Sequence, residues 1–275
     1  MPESPEVQSL AETLDRRVTG CRIHGVDLVE FRAMKTRGRP LASLVGASIA
    51  GVHRIGKYLD IALESGHVVI SLGRHGWVRW TDAAGVAADG GVAPALVVLT
   101  FDCGTLELTD AGSWVSVGVW LTDRPDAVPA IGKLGPDPLD PDFSRDIVDR
   151  AVAGRRKQLK AILQEQESFA GIGNAYSDEI LHRARLSPLV HGDLLTDGER
   201  ARLFAAMRDV LGAATRARRG IPIETLKQAK IDAMVVHGRG GQACPACGGV
   251  IHDLAFGGTT AQYCPSCQTP GVVVT

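Results

Sequence analysis

The sequence predicts an α+β protein in three parts: an N-terminal β-sandwich with a flanking helix, a helical middle and a C-terminal zinc ribbon. Three observations carry that expectation. Val7, Leu10, Leu14 and Val18 recur at helical spacing behind Pro5 and stop at Gly20. From residue 21 to about 121, short apolar runs are broken by glycine, the pattern of a small sandwich. Near the C-terminus, Cys244-Pro-Ala-Cys247 and Cys264-Pro-Ser-Cys267 are separated by sixteen residues, the spacing of a closed four-thiolate zinc site.

Each part can be justified in order. In the first, Ser48–Val52, Tyr58–Leu63, His67–Leu72, Ala95–Phe101 and Val115–Leu121 are apolar runs of strand length. Residues 125–141 are rich in proline and read as a linker. From Asp142 to Arg219 the period is helical, and Ile221 to Met234 fits neither period cleanly. The expected division is therefore 1–124, a linker at 125–141, a helical domain at 142–232 and a zinc finger at 233–275. Cys244, Cys247, Cys264 and Cys267 are the expected zinc ligands. With all four positions filled by sulfur, the metal is structural and has no open position for chemistry. Cys21 and Cys103 are expected to be free and to serve packing.

At 275 residues with 45% hydrophobic residues, the chain is long enough for more than one core. No apolar run is long enough to cross a membrane, and the N-terminus lacks a basic region followed by an apolar core. The expected setting is cytoplasmic and reducing. A net charge of −1 argues against nucleic acid, but its distribution does not. Residues 151–240 carry 15 lysines and arginines against 10 acidic residues, while the remainder is net negative. Arg155, Arg156, Lys157 and Lys160 form one cationic run, and Arg216, Arg218 and Arg219 another. Such clustering suits a localised phosphate-binding face, with Lys160 as one contact, or equally a set of solvated helix faces.

The first residues offer chemistry. Removal of Met1 leaves Pro2 with a free secondary amine, whose pKa lies well below that of a lysine side chain. An unprotonated amine attacks an aldehyde carbon to form a Schiff base. Glu3 beside it is placed to move protons. The plainer reading is that Pro5 and the adjacent acids merely open a helix.

Taken together, the motifs resemble those of the formamidopyrimidine-DNA glycosylase / endonuclease VIII family of DNA repair enzymes. MPESPEV begins the chain, and His53-Arg-Ile-Gly-Lys57-Tyr-Leu resembles the family's RxGKYL segment. Lys133 to Leu139 is similar to its KLGPDPL segment, and Ala170 to Leu181 to its AGIGNxYxDEIL helix–two-turn–helix signature. Val236-His-Gly-Arg239 precedes the ribbon as VxGR does in relatives. The resemblance implies a bifunctional glycosylase and abasic-site lyase acting on damaged double-stranded DNA as a nucleoid-associated monomer. It implies Pro2 as nucleophile, Glu3 as proton donor, Lys57 as a phosphate-contacting lysine that assists catalysis, and Asn174 as a phosphate ligand. Arg74, Arg239 and Thr259 are further expected DNA contacts.

The departures are specific. The family carries an arginine at the hairpin tip of the finger, and this chain has Thr259 there. Threonine brings no charge, so δ-elimination is expected to be weak, with Arg239 or Gln262 left to compensate. Arg74 stands where relatives often carry a void-filling methionine, and Ser113-Trp114 replaces an arginine–phenylalanine pair. Trp114 is either a wedge or a core residue, and His75 is expected to be structural. Thr225 to His237 is too short for the lid that closes over an extruded base in many relatives. The alternative to an enzyme is a non-catalytic damaged-DNA binding protein on the same scaffold. A third reading, a zinc-ribbon protein of transcription or RNA metabolism, makes the N-terminal motif a coincidence.

Overall fold

The computed structural model describes residues 1–84 and 93–274, and the chain divides into two compact units. The first comprises Met1–Lys133 and Arg218–Lys227; the second comprises Leu134–Ala217 and Gln228–Thr275.

In the first unit, α1 runs from Ser4 to Val18. Val7, Leu10, Ala11, Leu14 and Val18 are all at most 1% exposed, so the predicted apolar face is the buried one. Arg16 and Arg17 sit in the last turn, where they complement the helix dipole. Among the described residues, eight strands follow: β1 (Ile23–Leu28), β2 (Ile49–Ile55), β3 (Tyr58–Leu63), β4 (Gly66–Ser71), β5 (Gly76–Asp82), β6 (Ala95–Phe101), β7 (Gly104–Asp110) and β8 (Gly118–Thr122). They form two antiparallel four-stranded sheets, ordered β1-β6-β7-β5 and β2-β3-β4-β8. Inward residues of both sheets, among them Leu59, Ile61, Val68, Ile70, Val78, Leu99 and Leu108, join the α1 face in one core. The sandwich and its flanking helix are thus as the sequence predicts.

Two features of this unit differ from the sequence reading. Cys21 and Cys103 are not free: a disulfide joins the chain just after α1 to the β6–β7 turn. Eighty-two residues separate the pair, so spacing alone gave no hint of it. In addition, residues 218–227 pack with the first unit although they lie in the helical stretch of the sequence. Ile223 and Leu226 enter its core, Trp77 Nε1 donates to the Ile223 carbonyl at 3.1 Å, and Lys227 lies over the Trp77 ring.

The second unit contains α2 (Arg145–Val152), α3 (Leu159–Gln164), α4 (Asn174–Ala184), most of α5 (Asp197–Arg218) and the last part of α6 (Ile223–Ala233). Leu159, Ile162, Leu163, Phe169, Ile172, Tyr176, Ile180, Leu203, Met207 and Leu211 form its core. Residues 221–234, ambiguous in sequence, are mostly α6. The ribbon follows with β9 (His252–Phe256), β10 (Thr259–Tyr263) and α7 (Pro265–Gln268). Gly257 and Gly258 both have positive φ, 51° and 76°, so the hairpin closes through the two-residue turn that favours Gly-Gly. The helical part and the finger fall in one compact unit, joined by side-chain hydrogen bonds such as Asn174 to the Thr260 carbonyl and Gln268 to the Leu186 carbonyl.

Candidate functional site

In the first unit, Pro2 and Glu3 are buried at the start of α1. Glu3 is the N-cap of the helix. It accepts from the Glu6 N–H while its own N–H donates to Glu6 Oε2 at 3.1 Å, a reciprocal capping box. The plain reading of this segment as a helix opener is therefore correct. It also fixes the backbone next to Pro2, so the helix cap does not compete with a nucleophile at that position. Lys57 lies in the two-residue turn between β2 and β3, with Gly56 (φ 56°) in the first central position as a type II′ hairpin requires. Arg54 ties this turn to α1: its guanidinium donates to the Gly56 carbonyl at 3.1 Å, Ser4 Oγ at 3.3 Å and Gln8 Oε1 at 2.8 Å. Sequence reasoning passed over Arg54, although it lies within the RxGKYL-like segment.

A second cluster in this unit organises the expected void-filling loops. Asp110 is 8% exposed and accepts from Ser116 N and Oγ (both 2.7 Å), Gly112 N (2.9 Å) and Val117 N (3.2 Å). Ser116 Oγ in turn accepts from Arg74 N at 3.1 Å and His75 N at 3.3 Å. Two loops distant in sequence are thereby clasped together. Trp114 is 57% exposed, which excludes the core-packing reading, and its ring meets His75 edge-on at 6.1 Å. Arg74 and His75 are also exposed, so His75 is a surface residue beside Trp114.

Burial pushes Asp110 up, but the hydrogen bonds from Ser116, Gly112 and Val117 outweigh it and hold the carboxyl below its ordinary value. A depressed carboxylate adds stability that is present above its unfolded pKa and lost as pH falls through the folded one. Asp110→Asn is therefore expected to lower unfolding stability at pH 7 by about 2 kcal/mol. The difference from wild type should shrink below about pH 4, as followed by denaturant unfolding across pH. A gap that is flat with pH would remove the charged clasp.

In the second unit, Asn174 opens α4 behind Gly173. Its Nδ2 donates to the Thr260 carbonyl at 3.0 Å and its Oδ1 accepts from Gln164 at 3.1 Å, so it joins the helix to the finger hairpin. Glu179, buried, accepts from the N–H groups of Val235, Val236 and His237, each at 2.9 Å. Burial pushes its carboxyl up, opposed by those three donors. Arg239 donates to the carbonyls of Met234, Ile231 and Asp232. It caps the end of α6, which accounts for arginine there without DNA. Thr259 Oγ1 donates to the Phe256 carbonyl at 2.9 Å, which spends its only proton inside its own turn. Gln262 is buried and bonded to Gly238 N and Asp253, so it does not replace the missing finger arginine.

The reading of Lys160 as a surface phosphate contact is corrected. Its side chain is 0% exposed, and Nζ donates to Asp178 Oδ1 (2.6 Å), Ser177 Oγ (2.8 Å) and Asn174 O (3.2 Å). It lies in α3, and its charge holds the first turn of α4 from behind. The cationic run in sequence gave no sign of this because one side of α3 faces the core. Lys160→Met should destabilise the second unit by roughly 3–5 kcal/mol, since it strands a buried carboxylate. Urea unfolding measures this, and a loss under about 1 kcal/mol would mean the pair is solvated.

The sulfur atoms of Cys244, Cys247, Cys264 and Cys267 lie within 4.8 Å of one another. Four thiolates converging from two CxxC turns fit a tetrahedral zinc, and the site is structural. Gly249 N–H donates to Cys247 Sγ and, with the neighbouring thiols, brings its pKa down to about 7. His182 of α4 places Nε2 3.2 Å from Cys244 Sγ, an outer-shell contact that sequence reasoning missed.

Comparison with known proteins agrees with this geometry. Residues 1–112 match the model of the formamidopyrimidine-DNA glycosylase N-terminal domain. Residues 134–233 match that of the formamidopyrimidine-DNA glycosylase H2TH domain, and 241–270 the zinc finger found in FPG and IleRS. A formamidopyrimidine-DNA glycosylase of Pelotomaculum thermopropionicum is 31% identical over 98% of this chain and 99% of its own. The chain belongs to the formamidopyrimidine-DNA glycosylase family. The Salinispora arenicola member is 34% identical over 98% of this chain and 96% of its own. A Mycobacterium tuberculosis formamidopyrimidine-DNA glycosylase-like protein is 41% identical over 50% of this chain and 86% of its own. The Lactococcus lactis family member in complex with abasic-site DNA superposes with a TM-score of 0.86 at 25% identity, covering 97% of this chain and 99% of that one. Among the described residues, no helix is long and apolar enough to cross a membrane.

Proposed function

We propose that this family member is a DNA repair glycosylase and abasic-site lyase that works through the Pro2 amine. The observation that carries the reading is the N-terminus itself: Pro2 and Glu3 are buried at the head of α1, in a capping box, with Arg54 joining that helix to the Lys57 turn. With Met1 removed, the Pro2 nitrogen donates its lone pair to C1′ of a flipped nucleotide, and the damaged base departs with the glycosidic electron pair. The attached nitrogen gives up its N–H proton to solvent and Glu3 supplies one to the ring oxygen, so that the nitrogen lone pair opens the sugar to an iminium. Loss of a C2′ proton then expels the 3′ phosphate by β-elimination, and water releases the imine. Lys57 supports the phosphate. The solved relatives bound to abasic-site DNA and to carbocyclic 8-oxo-G DNA support the substrate class. In the second unit, Asn174 and the N–H groups opening α4 are the proposed phosphate ligands. Arg74 and Trp114 are the proposed contacts to the gap left by the flipped base.

Borohydride trapping on a duplex with one abasic site tests this reading. A covalent adduct is expected; lesion-selective binding without any adduct would instead favour a non-catalytic damage binder. Because Thr259 brings neither a charge nor a spare proton to the finger tip, strand cleavage is expected to stop at the β-elimination product. Thr259→Arg should raise the fraction of δ-elimination ends seen on a sequencing gel. Equal δ-product in wild type would show that another residue supplies that step.

A further inference from the structure

The geometry points to Arg218 as a positioning residue for the N-terminal nucleophile, acting through Glu6. This inference rests on the lyase reading above. Glu6 is 1% exposed and Arg218 3%, with Arg218 Nε 3.7 Å from Glu6 Oε1. Among the described residues Arg218 Nε has no hydrogen-bond partner, so its attraction to Glu6 is Coulombic. Burying a carboxylate is costly unless a positive group lies beside it, and Arg218 is such a group. Glu6 is also the carboxylate whose Oε2 receives the Glu3 N–H and whose N–H caps back to Glu3. The position of Glu3, and of Pro2 one peptide away, therefore depends on the Glu6 carboxylate being held in one rotamer.

The chain anchors Arg218 for this task. It is the last residue of α5, and its carbonyl accepts from the buried Ser9 Oγ at 2.7 Å. The next residue, Arg219, makes a two-pronged contact with Glu12 at 2.8 and 2.9 Å. Glu6, Ser9 and Glu12 follow one another at three-residue spacing along α1, so the segment docks on one stripe of the helix. A residue more than two hundred positions away in sequence thus brings a positive charge to the helix start.

The test is single-turnover borohydride trapping at saturating abasic duplex, with DNA dissociation constants measured in parallel. Arg218→Met is expected to slow trapping roughly 100-fold, the penalty of a small misplacement of a reacting group, with DNA affinity changed less than about threefold. Arg218→Lys should recover most of the rate because it restores the charge. If Arg218 acts through Glu6, the double variant Arg218→Met/Glu6→Gln should be no slower than Glu6→Gln alone. The double variant also removes both buried charges, so it remains informative if Arg218→Met does not fold. Wild-type adduct with an unimpaired Arg218→Met, or fully additive losses, would overturn the inference alone. Absence of adduct in wild type would instead sink the lyase reading and this inference with it.

Discussion

A chain that keeps any residue in front of Pro2 should form no borohydride-stable adduct with an abasic duplex, and its strand cleavage should fall by roughly three orders of magnitude or more. An amide nitrogen has its lone pair delocalised into the carbonyl and is not a nucleophile. A free α-amino group, with a pKa near 8, is unprotonated in a usable fraction of molecules at neutral pH. The expected effect is large because the chemistry runs through one atom. Glu3→Gln is the companion measurement: it keeps an acceptor for the Glu6 N–H and so keeps the helix cap, but it cannot give up a proton. It should slow ring opening by roughly 10²–10⁴-fold while DNA affinity holds. Undiminished trapping in the blocked chain would move the nucleophile to a lysine, and Lys57 would be the first to replace.

The parts of the molecule that were legible in sequence are those fixed by local rules. The period of α1, the runs of the sandwich, the Gly-Gly hairpin and the two CxxC turns each declare themselves within a few residues. What was not legible depends on residues far apart meeting in three dimensions. Lys160 reads as one more cation in a basic run, yet α3 turns it inward to Asp178. Trp114 stood between two readings until its exposure removed core packing. Nothing in the sequence singled out Asp110 or Ser116, and their value lies in clasping Arg74 and His75 from another loop. Cys21 and Cys103 lie too far apart in the chain for spacing to suggest a bond. Arg239 and Thr259 show the complementary lesson. Thr259 occupies a position that the family assigns to DNA and Arg239 was a further expected contact, and here each has a local partner that accounts for much of its hydrogen-bonding capacity.

Removing zinc is expected to do more than unfold the finger. Structural zinc contributes roughly 10–16 kcal/mol of apparent binding energy at neutral pH, which in a small ribbon is folding energy. Here the ribbon is bonded into α4 at three levels. Asn174 reaches the Thr260 carbonyl at the start of the helix, Glu179 accepts three backbone N–H groups from 235–237 in its middle, and His182 meets Cys244 one turn later. Without the metal, Cys244 no longer fixes His182, and the hairpin that holds the Asn174 amide is lost. Chelation should therefore raise amide hydrogen exchange in α4 as well as in 241–270, and weaken binding to abasic duplex. The first unit, which shares no thiolate with the site, should keep its exchange protection. Loss confined to the ribbon, with α4 and DNA affinity unchanged after verified zinc removal, would mean that α4 holds its Asn174 end without the finger. Loss that spreads through α4 would make the zinc a determinant of the turn proposed to hold phosphate, at a distance set by the length of one helix.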